Sequence, residues 1–297
     1  MPAVKASGAR RVQRYRWIPD LPDQRDLLYT APTPFQRGIP TKADLSKECP
    51  PVYDQGQLGS CTANAISVAI EFAQKKKLMP SSLFIYYNER TMEGTVNSDC
   101  GAQIRDGIKS VATQGAPLER FWPYEIDKFR DAPSPEAEAA AKSDLAILYR
   151  RLIQDLNTMK GCLASGNPFV FGFTVYESFE GATVAKTGVL QMPALKEKTV
   201  GGHAVMAVGY DDNKQTFLVR DSWGPKWGEK GYFTIPNAYL TSNRLASDFW
   251  TIRGVEEGAT ITRSRKRKES AGHAASIHSH WRGINRDANS GRPVSRA

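Results

Sequence analysis

The chain has 297 residues, of which 24% are charged, 40% hydrophobic and 10% aromatic, enough for one large or two modest domains. That composition excludes a collagen, a coiled coil and a wholly disordered chain. The net charge of +9 sits at the ends: residues 259–297 carry +7 and residues 1–20 carry +4, which leaves −2 for residues 21–258. A nucleic-acid-binding surface built into the fold is therefore disfavoured. The run Arg263-Ser264-Arg265-Lys266-Arg267-Lys268 reads first as solvated charge, with contact to phosphate or anionic lipid as the lesser reading.

Apolar stretches such as Phe169 to Phe173 fall far short of the roughly 18 residues that span a bilayer. The N-terminus MPAVKASGARRVQRYRW lacks the apolar core of a secretory signal, so the expected compartment is the cytoplasm, with export by another route left open. Cys49, Cys61, Cys100 and Cys162 are scattered and form no zinc-type spacing, so no metal or other cofactor is expected. If one of them is a catalytic thiolate, the other three allow at most one intrachain disulfide.

In chain order, residues 1–41 are rich in Arg, Pro and Asp with scattered aromatics (Tyr15, Trp17, Tyr29, Phe35). Such a segment can lie over a surface but cannot build a core, which makes it a candidate pro-segment. Residues 42–254 supply the folded body. Within it, Ser60 is placed to cap a helix running from Cys61 to Lys77, with apolar residues at Ala65, Ala69, Phe72 and at Ile66, Ile70, Ala73. A second helix is expected over Ile104 to Thr113, and a third over Leu145 to Ala164, closed by Gly166 and Pro168. The period then changes: Phe169 to Tyr176, His203 to Tyr210, Thr216 to Arg220 and Gly231 to Ile235 read as strands. Helices followed by strands predict an α+β body in two lobes. Residues 255–297 turn to Ser, Arg, Gly, Ala and His and read as a disordered basic tail.

Three short stretches carry chemistry. In Asp54-Gln55-Gly56-Gln57-Leu58-Gly59-Ser60-Cys61, a cysteine opens a helix after a glycine-containing loop, where backbone N–H groups and the helix dipole favour an anionic sulfur. The bland alternative is an inert buried thiol. Of the four histidines, only His203 lies in the body, in Gly201-Gly202-His203-Ala204-Val205, at the head of an apolar strand. A satisfied core histidine is the alternative there. In Asp221-Ser222-Trp223-Gly224-Pro225-Lys226-Trp227-Gly228, a carboxylate beside indoles can hold an imidazole N–H and shield that bond from water, although aromatic packing alone also accounts for the pattern.

Taken together, these blocks resemble the signatures of the papain-like cysteine peptidases over roughly residues 40–254. Trp-Ile-Pro-Asp-Leu-Pro-Asp-Gln-Arg-Asp at 17–26 and Gly-Ala-Gln-Ile-Arg-Asp-Gly-Ile-Lys at 101–109 are similar to a bacterial, xylellain-like branch of that family. The resemblance implies a helical lobe and an antiparallel β-rich lobe with a cleft between them. It implies Cys61 as nucleophile, His203 as general acid/base and Gln55 as an oxyanion donor beside the Cys61 amide.

Asp221 stands where the family usually has an orienting asparagine, which predicts a raised His203 pKa. Trp223 matches the indole over that bond. Leu58 replaces a family cysteine, which leaves Cys100 without its usual partner. Gly101, Ala102, Gln103 and Ile104, with Gly202, match residues that bind substrate backbone and wall the pocket for the P2 side chain. Ile104 and Ala204 suggest an apolar P2 residue, and Asp248 a basic one.

The implied activity is endopeptidase cleavage of polypeptides by a monomer. It would be made as a zymogen whose residues 1–41 partly cover the cleft and are trimmed near residues 37–43. A Cys-His-Asp acyltransferase or isopeptidase, as in transglutaminase-like enzymes, and a catalytically dead binding scaffold are the alternatives.

Overall fold

The computed structural model describes residues 16–75, 78–142 and 147–254. The expected basic tail, residues 255–297, lies outside the described residues, as do residues 1–15 of the expected pro-segment. In chain order the elements are α1 (Thr33–Arg37), β1 (Lys42–Asp44), α2 (Cys61–Gln74), α3 (Ser82–Met92), α4 (Ile104–Gln114), α5 (Pro135–Ala141), β2 (Ile147–Arg151) and α6 (Leu156–Ala164). There follow β3 (Phe169–Tyr176), α7 (Ala182–Thr187), β4 (Thr199–Asp211), β5 (Thr216–Arg220), β6 (Tyr232–Pro236), α8 (Asn237–Thr241) and β7 (Ala246–Gly254). The strands pair antiparallel in the order β2-β7-β3-β4-β5-β6, with β1 added to the far end of β4. Helices in the first half and this sheet in the second give the expected α+β arrangement.

Helix α2 is the centre of the helical half. From Cys61 to Phe72 every residue is buried, because α2 lies against β4 and β7 on one side and against α3 and α4 on the other. Small residues at Ala63, Ala65 and Ala69 let its neighbours approach, while Ile66, Val68, Ile70 and Phe72 each add about 1.5–3 kcal/mol by leaving water. Its buried polar groups are paired: the Tyr53 hydroxyl donates to Glu71, and Thr62 Oγ1 donates to Glu89 Oε2 at 2.8 Å. Full burial pushes the Glu89 carboxyl well above its ordinary range.

Two local expectations are corrected. Ser60 occupies the N-cap position of α2, yet its side chain makes no capping bond; Ser60 Oγ instead meets the Tyr124 hydroxyl at 2.5 Å and accepts from Asn64 Nδ2 at 3.0 Å. Among the described residues, the expected helix from Leu145 to Ala164 is helical only over α6, which Asp155 caps by accepting from Thr158 N. Its first part is strand β2, whose partner β7 lies far along the chain, with Ile147 opposite Gly254 and Arg151 opposite Trp250. Pairing with a distant strand overrode the local helical period.

The first described residues also join the body. Leu28 bridges Arg151 in parallel, Tyr29 N donates to the Arg151 carbonyl at 2.8 Å, and Tyr29 is 4% exposed within the core. No helix among the described residues is long and apolar enough to cross a membrane.

Candidate active site

Two backbone junctions assemble the site. Gln55 N donates to the Ser222 carbonyl and Gly224 N to the Tyr53 carbonyl, both at 2.8 Å, so the loop before α2 is laced to the loop after β5. The first loop leads into Cys61 at the start of α2; the second carries Asp221, Ser222 and Trp223. Strand β4 lies beside β5, with Met206 opposite Arg220, and brings His203 to the same place.

His203 Nε2 lies 2.8 Å from Asp221 Oδ1, and both residues are about 1% exposed. The same oxygen accepts from Ser222 N at 2.7 Å, which fixes the carboxylate. The ring's hydrogen bond with Cys61 therefore falls to its other nitrogen. Burial works against a charged ring, but the Asp221 carboxylate, its hydrogen bond and the Cys61 sulfur outweigh it and hold His203 up at about 9. The Trp223 indole stacks on the imidazole, centroids 5.1 Å apart, and Trp227 and Phe179 close around the indole at 5.0 and 5.2 Å. A sulfur beside an imidazolium whose far nitrogen is held by a carboxylate, under an aromatic roof, is suited to nucleophilic attack followed by proton return.

Gln55 is also in place and held at both ends: Oε1 accepts from Ser222 Oγ at 2.5 Å, and Nε2 donates to the Leu58 carbonyl at 2.9 Å. The Tyr124 hydroxyl donates to the Gln55 carbonyl at 3.0 Å and meets Ser60 Oγ, spanning the loop from glutamine to cysteine. Leu58, in the place of a family cysteine, is buried and fills its site with hydrocarbon. All four cysteines are free. Burial pushes Cys49 up to about 11 and Cys162 to about 12, which separates them chemically from a nucleophile.

The remaining expected residues meet the chain's own N-terminal arm. Trp17 N donates to the Gly202 carbonyl at 2.9 Å, Ile18 N to the Ala102 carbonyl at 3.1 Å, and Ala102 N to the Arg16 carbonyl at 3.2 Å. Gly101 has a φ of +82°, and a Cβ there would strike the Arg16 carbonyl, so both backbone conformation and the arm require glycine. Gln103 Oε1 accepts from Leu21 N, and Ile104 is fully buried at the start of α4.

Further along the arm, Asp20 takes over the capping of α4: its Oδ1 accepts from Arg105 N at 3.0 Å and its Oδ2 from Trp250 Nε1 at 2.9 Å. Asp26 pairs with Arg105 at 2.5 Å and with Arg151 at 2.9 Å. Asp248 is occupied as well, accepting from Asp20 N at 2.8 Å with Arg151 at 3.5 Å.

Trp17, Asp20, Tyr124 and Ser222 belong to this neighbourhood and were not among the expected site residues. The sequence signals were the 17–26 block, which contains Trp17 and Asp20, and the serine adjoining Asp221; Tyr124 carried none. Among the described residues no cluster of His, Cys, Asp and Glu is arranged to hold a metal ion.

The family described as papain family cysteine protease matches residues 39–248. The chain belongs to that family. As a papain-family protease it is a hydrolase acting on peptide bonds. It is 48% identical over 217 residues to a peptidase C1-like protein of Acanthamoeba polyphaga mimivirus, covering 69% of this chain and 70% of that one. It is 30% identical to a cathepsin B-like protein of Giardia intestinalis, covering 63% of this chain and 64% of that one. Among solved structures, xylellain, a cysteine protease from Xylella fastidiosa, is similar with a TM-score of 0.77 and 41% identity, over 86% of this chain and 99% of that one.

Proposed function

We propose that the chain is an endopeptidase in which Cys61 attacks a peptide carbonyl as a thiolate paired with the His203 imidazolium. Asp221 orients the ring, and His203 returns its proton to the leaving amine. Gln55 supports the tetrahedral oxyanion with its amide, next to the Cys61 backbone N–H; water then releases the acyl-enzyme. The observation that carries this reading is the single line of hydrogen bonds from Cys61 through His203 to Asp221 beneath Trp223.

The full chain is, in this reading, a zymogen. Residues 16–18 of the arm make three backbone hydrogen bonds, two at Ala102 and one at Gly202, and Gly202 is the residue before His203. A polypeptide substrate needs the same strip of backbone, so arm and substrate compete for it. Procathepsins are among the proteins of similar fold, with digestive procathepsin L 3 of Tenebrio molitor at a TM-score of 0.62.

The deciding experiment measures hydrolysis of fluorogenic peptidyl amides and mass-maps the cysteine labelled by an epoxide-type thiol inhibitor. Turnover lost in Cys61→Ala, with label on Cys61, supports the proposal. Turnover only with an added amine acceptor indicates a transferase, and stoichiometric peptide binding without turnover a scaffold; either result overturns it.

A further inference from the structure

The peptide unit between Leu58 and Gly59 lies just ahead of Cys61 and is held at both of its polar atoms. Its carbonyl accepts from Gln55 Nε2 at 2.9 Å, and its N–H donates to Asp99 Oδ1 at 3.0 Å. The same Asp99 oxygen accepts from the Tyr86 hydroxyl at 2.6 Å, and that hydroxyl accepts in turn from Gly101 N at 3.2 Å. Three successive hydrogen bonds thus run from the loop that carries Gln55 to the strip at Gly101 and Ala102, with Tyr86 of α3 between them.

The surroundings hold each member of this relay. Tyr86 is fully buried, and burial with the Asp99 charge beside it pushes its hydroxyl well above the ordinary value, so it keeps the proton it donates. Arg90, also fully buried, lies with its guanidinium over the Tyr86 ring at 4.1 Å and donates to the Val96 carbonyl, which fixes the loop leading to Asp99. A Cβ on Gly59 would stand 2.7 Å from Asp99 Oδ1 and 2.5 Å from Arg16 Cγ, although Gly59 has no positive φ; the missing side chain is what admits both neighbours. With all four cysteines free, hydrogen bonds rather than a disulfide join the two loops here. A displacement of the strip at Gly101 is therefore passed through Tyr86 and Asp99 to the peptide that sets the Gln55 amide.

We infer that Asp99 and Tyr86 are positioning residues that couple occupation of the strip by a peptide backbone to the placing of the Gln55 amide for the oxyanion. This rests on the peptidase reading above. A substrate long enough to pair with Ala102 gains in kcat as well as in binding, whereas one that stops short of the strip gains in neither.

The test crosses substrate length with variant in the full chain and compares kcat at saturation, since an arm that only competes with substrate changes KM. The substrates are an aminoacyl amide too short to reach Ala102 and an N-blocked tetrapeptidyl amide ending in the same residue. The unaltered chain is expected to turn over the longer one with a kcat about tenfold higher or more. Tyr86→Phe keeps the ring and breaks both hydroxyl bonds. It is expected to erase most of that advantage, lowering kcat on the tetrapeptide by about fivefold or more and on the short amide by less than about twofold. Asp99→Ala frees the Leu58–Gly59 peptide itself and is expected to lower kcat on both substrates, while Asp99→Asn keeps an acceptor and should stay within about threefold of the unaltered chain. Iodoacetamide labelling of Cys61, which forms no oxyanion, should stay within about twofold in all three variants.

Equal losses on the two substrates in Tyr86→Phe, no loss on either, Asp99→Asn as damaging as Asp99→Ala, or a parallel fall in labelling would each overturn the inference and leave the peptidase reading intact. No turnover of either substrate by the unaltered chain would sink the peptidase reading itself, and the inference with it.

Discussion

The Trp17 amide donates to the carbonyl of Gly202, so a residue of the N-terminal arm is bonded to the residue immediately preceding the buried imidazole of His203. Three residues later the arm changes character. From Asp20 onward it holds the body together: Asp20 caps α4, Asp26 joins Arg105 to Arg151, and Tyr29 enters the core.

That division makes the point of truncation decisive. A chain beginning at Asp20 is expected to hydrolyse peptides at least tenfold faster than the full chain and to melt within a few degrees of it. A chain beginning at Thr41 removes Asp26 and leaves Arg105, whose side chain is 5% exposed, without its carboxylate. Losing this ion pair, its link to Arg151 and the buried Tyr29 side chain is expected to lower the melting temperature by several degrees. Thermal melts alongside hydrolysis rates check both halves; equal stability of the two truncated chains would show that the anchor is dispensable.

Asp221→Asn isolates the effect of charge at the orienting position. The amide oxygen can still accept from His203 Nε2 and Ser222 N, so geometry is kept while the carboxylate charge is lost. Burial then acts on His203 with less opposition, and its pKa falls from about 9. The imidazolium is lost as pH rises through that value, so the basic limb of the kcat/KM profile should move from near 9 toward neutrality by a unit or more. An unmoved basic limb would mean that another group sets it.

Acid is expected to tighten the arm's hold through Asp20. Burial and the neighbouring Asp248 charge raise Asp20 from 3.8 to about 6, against the opposing pull of Arg105 and the hydrogen bond from Trp250. Its docked state therefore binds a proton that the released arm gives up, and docking gains strength as pH falls through 6 toward 4, by at most roughly a hundredfold. Glu93, raised to about 7 by burial with Asp106 and Asp20 nearby, acts in the same direction. Iodoacetamide labelling of Cys61 in the full chain, normalised to a chain beginning at Asp20, should slow between pH 7 and 4, and Asp20→Asn should flatten that dependence.

The loop that carries Gln55 offers a separate test of its proposed oxyanion role. Ser222→Ala removes the hydroxyl that holds Gln55 Oε1, and Tyr124→Phe removes the bond to the Gln55 carbonyl. Each is expected to lower kcat by about tenfold with KM little changed, while iodoacetamide labelling of Cys61, which forms no oxyanion, stays within twofold. A parallel fall in labelling would point to general damage at the site.

How much of this was legible beforehand differs by feature. Helix α2, helix α4 and strands β3 to β6 show in the sequence because their apolar period is local and every turn or pleat repeats it. Cys61, His203 and Asp221 could be named as candidates because the cysteine opening α2, the histidine heading β4 and the carboxylate before Trp223 each carry a local pattern. The residues 147–151 could not be read as a strand, because their partner β7 lies about a hundred residues away and pairing energy replaced local preference. Ser60 likewise looks like a cap, and only the proximity of Tyr124 turns its hydroxyl elsewhere.

The sequence by itself determined the family and the order of the main elements, since these rest on residue identity and short-range period. Only the tertiary structure decided where the arm goes, which of its residues meet Ala102 and Gly202 and which brace the body. Those outcomes depend on segments meeting from opposite ends of the chain, where volume and buried charge are settled by the neighbours that the fold supplies.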